Sequence, residues 1–209
     1  MNVLIIEDHP LISKGLKLAI LEIEENVKVF QAITFPIGLL CLQENDIDIL
    51  ILDIDIPGGE SVKMIEHIRE ITPDVVILIH SGYDEKVYAL PYLRAGANGF
   101  LSKKATHEDF ISAWTTITEN RKYVSPAIQE LLIENGGDPS EKNAGNPVLS
   151  LSPRELRVMH LIVEGKWNKE IAAAMDLKEN TISTYKKRIY EKFNVKDERE
   201  LLKQIAIYL

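Results

Sequence analysis

The chain has 209 residues, 45% hydrophobic and 27% charged, a balance that suits one large or two small soluble domains, each with its own core. No stretch approaches the roughly 20 apolar residues of a membrane helix, no basic leader precedes the first apolar run, and a single cysteine, Cys41, rules out an intramolecular disulfide or a cysteine zinc cluster. The net charge of −8 is segregated: residues 1–148 hold 12 Lys+Arg against 23 Asp+Glu, giving −11, and residues 149–209 hold 12 against 9, giving +3.

A cytoplasmic protein with no membrane segment is expected from these features, with a polyanion as the partner of the second half alone. Cys41 falls in an apolar helical stretch and is expected to be a buried structural thiol.

Five short apolar runs come first: Asn2 to Ile6, Val27 to Ile33, Asp48 to Asp53, Val75 to His80 and Asn98 to Ser102. Helical patterns near 10–22, 36–45, 59–71, 84–95 and 107–120 separate and follow them. Strands that are apolar nearly throughout and alternate with helices predict a doubly wound α/β domain whose parallel sheet is covered on both faces. A short helical piece, 126–133, leads into GGDPSEKNAGNP at 136–147, which has the composition of a linker. Only helical patterns follow, near 153–164, 168–175, 181–193 and 198–208, predicting a small all-α domain. The domains are therefore drawn as 1–121, a linker with a short helix at 122–148, and 149–209.

Ligands of a parallel α/β sheet bind where the carboxyl ends of its strands meet. Here those ends are polar: Glu7-Asp8 after the first run, Asp53-Ile54-Asp55 after the third, His80-Ser81 closing the fourth and Lys103-Lys104 after the fifth. Any one acid after a strand is usually a helix cap or a solvated loop residue. Several converging carboxylates repel one another unless protonated or holding a cation, and oxygen ligands of this kind suit Mg²⁺. One acid is then available as a nucleophile towards a phosphoryl group, with the metal, the Ser81 hydroxyl and a lysine ammonium neutralising the oxygens.

In the helical region, Ser152-Pro153 with Glu155 marks a helix start. Ile182, Tyr185, Ile189 and Phe193 recur at helical spacing, so Ser183, Thr184, Lys187 and Arg188 point the other way. Small polar and basic groups on one helix face fit a DNA major groove, although a solvated amphipathic helix has the same pattern.

The segments VLIIEDHPLISKGL and DILILDIDIPGG, the serine after VVILIH, and GANGFLSKK together resemble the receiver domain of bacterial response regulators, over about residues 1–120. The DHP triplet is similar to the NarL and FixJ subfamily. The resemblance implies that Asp53 accepts a phosphoryl group from a histidine kinase, with Pro57 four residues on. It implies that Glu7, Asp8 and Asp53 hold Mg²⁺ with the backbone carbonyl of Asp55, that Ser81 is the switch hydroxyl, that Lys103 is the site lysine, and that Phe100 changes rotamer on activation. Ser61 stands where the family has a glycine, with Gly58-Gly59 earlier, so a reshaped loop is expected. Asp55 stands where this subfamily more often has an amide, and Lys104 where an acid is common.

The last 55 or so residues resemble the LuxR-type helix-turn-helix through LSPREL, NKEIA and the block TISTYKKRIYEKF. By that resemblance Ser183, Thr184 and Lys187 approach base edges of double-stranded DNA, while Lys169, Tyr185, Lys186 and Arg188 meet phosphate. Trp167 and Lys178 replace capping serines, with Asn168 and Asn180 offering caps just downstream and shifting the helix starts. Tyr185 replaces a histidine, and Asp176 replaces a turn glycine, which an aspartate tolerates better than most. Leu201, Ile205 and Leu209 form a stripe on the last helix, which in this family pairs between subunits, although a single domain could bury such a stripe itself.

The function implied is transcription control by a response regulator that forms a homodimer on phosphorylation and catalyses at most its own phosphorylation and dephosphorylation. Two other readings share parts of the pattern. Asp-x-Asp after a strand occurs in haloacid-dehalogenase-type phosphatases, but there it ends the first strand of the domain, not the third. A protein-interaction adaptor without DNA binding is the other.

Overall fold

The computed structural model describes residues 1–59, 62–134 and 147–208. Ser61 and the stretch 136–146 of the expected linker lie outside the described residues. Contacts divide the chain into Met1–Glu130 and Leu131–Leu209.

In the first unit, β1 (Asn2–Ile6), β2 (Lys28–Ala32), β3 (Ile49–Leu52), β4 (Val76–Ser81) and β5 (Gly99–Ser102) form one parallel sheet in the order β2-β1-β3-β4-β5. Helices α1 (Pro10–Ile23), α2 (Phe35–Glu44), α3 (Lys63–Ile71), α4 (Glu85–Arg94) and α5 (His107–Thr118) alternate with the strands. Val3, Ile5, Ile49, Ile51, Leu78 and Leu101 pack with Leu16 and Ile20 of α1 and Phe110, Trp114 and Ile117 of α5. The alternate residues Leu4, Ile6, Leu50, Leu52, Ile77, Ile79 and Phe100 are buried as well, as strands of a sheet covered on both faces require. α6 (Pro126–Glu134) follows, with Ile128 buried.

The strand positions agree with the periodicity to within a residue or so at each end. α3 departs from it: it begins at Lys63, not near residue 59. Gly58 takes a left-handed φ of 78°, and a Cβ there would lie 2.7 Å from Pro36 Cδ. That backbone belongs to a tight turn, which delays the helix. Cys41 is half-buried, not buried, because it lies on the flank of α2. Its thiol pKa is pushed up by that burial.

The second unit has a 3₁₀ turn at Pro147–Ser150, then α7 (Pro153–Val163), α8 (Asn168–Ala174), α9 (Glu179–Phe193) and α10 (Glu198–Tyr208). Ser152 caps α7: its Oγ accepts from Glu155 N at 3.4 Å while Glu155 Oε2 accepts from Ser152 N at 2.7 Å. Glu155 is buried and also takes Lys192 Nζ at 2.6 Å, pinning α7 to the end of α9.

The helix starts do not shift to new asparagine caps. Trp167 and Lys178 remain the cap positions, and Asn168 and Asn180 lie inside α8 and α9. The backbone N–H of Trp167 is satisfied from the far side of the first turn, by Glu170 Oε2 at 2.7 Å. Asp176 makes the turn between the two helices at a φ of 51°, as its place in the glycine position requires.

The stripe on α10 meets a different outcome from the one its family implies. Leu201 and Ile205 are 0% and 1% exposed, buried in their own unit, while Leu209 lies outside the described residues. Four packed helices need an apolar filler between α9 and α10, and these residues supply it. The outward side of α10 carries Arg199, Leu202 and Lys203.

Candidate functional site

The register of the sheet builds the first site. Ile6 on β1 pairs with Leu52 on β3, so Glu7 and Asp53 leave adjacent strands side by side, and Asp53 N donates to Ile6 O at 3.0 Å. On the other flank Ser81 pairs with Ser102, and Lys103 N donates to Ser81 O at 2.7 Å. Residues from four places in the sequence therefore meet at one edge because four parallel strands end there together.

Lys103 is the hub. Its Nζ lies 2.8 Å from Asp53 Oδ2 and 2.6 Å from Glu7 Oε2, and both carboxylates are buried. Burial pushes the Asp53 carboxyl above its ordinary value, and the Lys103 ammonium opposes that rise. Desolvation pulls Lys103 down, but the two carboxylates outweigh it and its pKa is raised. The remaining Asp53 oxygen, Oδ1, accepts from Asp55 N at 3.2 Å.

Asp8 is about one-third exposed at the rim, and His9 Nδ1 lies 2.8 Å from its Oδ1 and 3.0 Å from Glu7 Oε1. That hydrogen bond with Glu7, reinforced by the charge of Asp8, raises the His9 pKa. Glu7, Asp8, His9 and Asp53 each offer a ligand atom within 4.8 Å of the others. Three carboxylates converging on one point suit a hard divalent cation with oxygen preference, so the donor set fits Mg²⁺. His9 had no role in the sequence reading; its place directly after an acid pair was the available signal.

Ser81 is buried at 1% exposure, and its Oγ accepts from Tyr83 N at 3.1 Å. Phe100, also 1% exposed, sits on the opposite sheet face from α1 and α5. Asp55 is exposed on the loop after β3.

The second site is the outer face of α9. Ile182, Ile189 and Phe193 are buried against the domain, whereas Ser183, Thr184, Lys187 and Arg188 are exposed. Asn180, Thr184 and Arg188, four residues apart, line one groove with Thr181 and Tyr185. Asn180 and Thr181 were not among the sequence candidates, although their spacing to Thr184 and Arg188 places them on the same stripe.

Lys169 is exposed on α8. Tyr185 is half-buried, its hydroxyl 3.5 Å from Arg154 Nη1. Lys186 is 14% exposed, its ammonium held by Asn168 Oδ1 at 2.9 Å and Glu198 Oε2 at 2.5 Å. It ties α8, α9 and α10 together.

An acid cluster bridged by a lysine at the carboxyl edge of a five-stranded parallel sheet, on a chain that also holds a helix-turn-helix, is the architecture of a two-domain signalling regulator. Residues 3–115 match the response regulator receiver domain, and residues 149–204 match the bacterial regulatory proteins of the luxR family. The chain belongs to the response regulators of NarL and FixJ type, a receiver domain joined to a LuxR-type DNA-binding domain. It is 33% identical to the oxygen regulatory protein NreC of Staphylococcus carnosus, over 97% of this chain and 95% of that one. It is 27% identical to the response regulator UvrY of Escherichia coli, over 96% and 91% of the two chains. Among solved structures it resembles RcsB of Salmonella enterica serovar Typhimurium bound to promoter rprA in the presence of phosphomimetic BeF3⁻, with a TM-score of 0.71, 25% identity and coverage of 99% and 98%. Among the described residues no helix is long and apolar enough to cross a membrane.

Proposed function

We propose that Asp53 is the phosphoacceptor of this regulator and that its phosphorylation controls DNA binding by α9. The observation that carries the reading is the Lys103 ammonium shared between buried Asp53 and Glu7. A carboxylate oxygen of Asp53 attacks the phosphorus of a phosphohistidine on a sensor kinase; the P–N bond breaks and the imidazole leaves. Lys103 keeps Asp53 ionised for the attack and then donates to a phosphoryl oxygen. Ser81 donates its hydroxyl proton to another, keeping the Tyr83 N–H as a partner. Moving Ser81 towards the phosphate opens the space into which Phe100 turns.

Glu7, Asp8 and Asp53, with the Asp55 carbonyl, would hold Mg²⁺, which when bound supplies positive charge to the transferring phosphoryl oxygens. Hydrolysis of the acyl phosphate by water returns Asp53, so the chain catalyses no turnover beyond its own phosphorylation and dephosphorylation.

On the DNA side, Ser183, Thr184 and Lys187 read base edges while Lys169, Tyr185 and Arg188 meet phosphate. Lys186 joins them only by giving up Asn168 or Glu198. Receiver (1–121), linker (122–148) and DNA-binding domain (149–209) are the working divisions, and the cytoplasm is the compartment. A second solved structure, of two RcsB dimers bound to two parallel DNAs, supports a homodimer on DNA here, and we take phosphorylation to be what drives it. Because Leu201 and Ile205 are buried, such pairing on α10 uses its outward side at Leu202.

The test is incubation with acetyl phosphate and Mg²⁺, borohydride reduction and mass spectrometry. Modification at Asp53 that requires Mg²⁺ is the expected result. Undiminished labelling of Asp53→Asn would end the assignment.

A further inference from the structure

We infer that Trp167 is a DNA-contacting residue, its indole lying against the sugar-phosphate backbone beside the groove that α9 enters. The inference rests on the DNA-binding reading above. Trp167 is 79% exposed, whereas the other tryptophan, Trp114, is 1% exposed. The domain gains little from the exposed ring. What Trp167 contributes to the start of α8 is backbone: its N–H donates to Glu170 Oε2 at 2.7 Å, and its carbonyl accepts from Ile171 N at 2.9 Å. Any residue could make those bonds. One exposed apolar side chain is ordinary, and Leu11 is 84% exposed; what sets Trp167 apart is an exposed indole between two exposed lysines at the start of α8.

Its position says what covers it. Asn168, the next residue, accepts from Lys186 Nζ at 2.9 Å, which fixes the start of α8 against the flank of α9 next to Ser183 and Lys187. Lys166 and Lys169, on either side of Trp167, are exposed. Two exposed lysines therefore flank the indole, while the Glu170 carboxylate is turned back onto the Trp167 N–H, and the pair of lysines gives charge complementarity for a polyanion. In a helix-turn-helix the first helix crosses the backbone while the second enters the major groove. The strand drawn to these lysines passes Trp167, where the flat ring can cover a deoxyribose and Nε1–H, a donor only, can reach a phosphate oxygen.

A neutral residue releases no counterion, and a sugar-phosphate contact carries no sequence information. Trp167 should therefore raise affinity for all duplexes alike without changing the salt dependence. Lysine contacts differ from this, since each changes the salt slope by about 0.9.

The experiment uses the full chain, phosphorylated with acetyl phosphate and Mg²⁺, and a labelled random-core duplex long enough for two half-sites, titrated at several salt concentrations by anisotropy and by tryptophan emission. Saturating duplex should quench or shift the emission of the wild type, and Trp167→Ala should lose that response. The variant should bind about fivefold to tenfold more weakly at every salt concentration, the scale of one hydrogen bond plus a partly covered apolar ring. Trp167→Phe should recover part of the loss, and Lys169→Ala should flatten the slope instead. If Trp167→Ala binds as tightly as the wild type, or if saturating duplex leaves the emission unmoved, the inference fails while DNA binding stands. If the wild type does not bind the duplex at all, both fail together.

Discussion

His80 offers a quantitative test of the receiver core. It sits on β4 one residue before Ser81, on the sheet face covered by α1 and α5, where it lines a cavity of about 140 Å³ with Gly15, Leu16 and Phe110. It is 9% exposed, and Nδ1 has no hydrogen-bond partner among the described residues. Burial, assisted by the Lys103 charge, lowers its pKa from 6.5 to about 4. The folded state therefore holds a neutral imidazole, while the unfolded chain takes up a proton as pH falls below 6.5. Stability from this group is complete above pH 6.5 and is lost as pH falls towards about 4. At 1.36 kcal/mol per pKa unit the loss reaches about 3 kcal/mol.

The perturbation is His80→Leu, which cannot titrate and leaves no buried nitrogen unpaired. Urea unfolding of the receiver can be followed through Trp114 in a Trp167→Phe background, which keeps the two domains distinct. At neutral pH the variant should equal or exceed the wild type, because removing an orphaned buried polar group is neutral or favourable. On acidification the difference should widen in favour of the variant by about 3 kcal/mol. Other titrating groups cancel in that difference. A difference that stays flat from pH 6.5 to about 4 would refute the account of His80 as a buried neutral base.

Two further expectations concern pairs that bridge elements. Glu155→Ala removes the reciprocal cap of α7 and leaves Lys192 with only the Ser150 carbonyl and solvent, so the DNA-binding unit should lose about 1–3 kcal/mol in thermal unfolding; a loss below half a kilocalorie would show that solvent replaces these bonds. Arg69→Lys should destabilise the receiver by about 2 kcal/mol, since Arg69 alone donates to Pro73 O at 2.8 Å, Val75 O at 2.5 Å and Gly96 O at 2.8 Å. Unchanged receiver unfolding in urea would show that one ammonium or water serves those carbonyls equally well.

Much of this molecule was legible in its amino-acid order, because the deciding physics is local or periodic. Near-continuous apolar runs such as Val3 to Ile6 and Ile49 to Leu52 have only a parallel sheet covered on both faces to occupy, and the acids that end them must then emerge at one edge. The cap of α7 by Ser152 and Glu155, and the left-handed turn at Asp176, depend on neighbours a few residues away. Which neighbour covers a given face is a different matter, since periodicity names a stripe but not its partner. Leu201 and Ile205 form an apolar stripe in either setting, and only packing against their own domain showed that they fill it and do not pair subunits. Lys186 belongs to the same basic block as Lys187, yet its ammonium is taken by Asn168 and Glu198 because tertiary contacts between α8, α9 and α10 converge there. His80 completes an apolar strand in the sequence, and only the closure of α1 and α5 over β4 left its Nδ1 buried with no partner among the described residues. Element type and site location follow from short-range patterning, whereas the pairing, burial and proton affinity of each side chain follow from contacts between residues far apart in the chain.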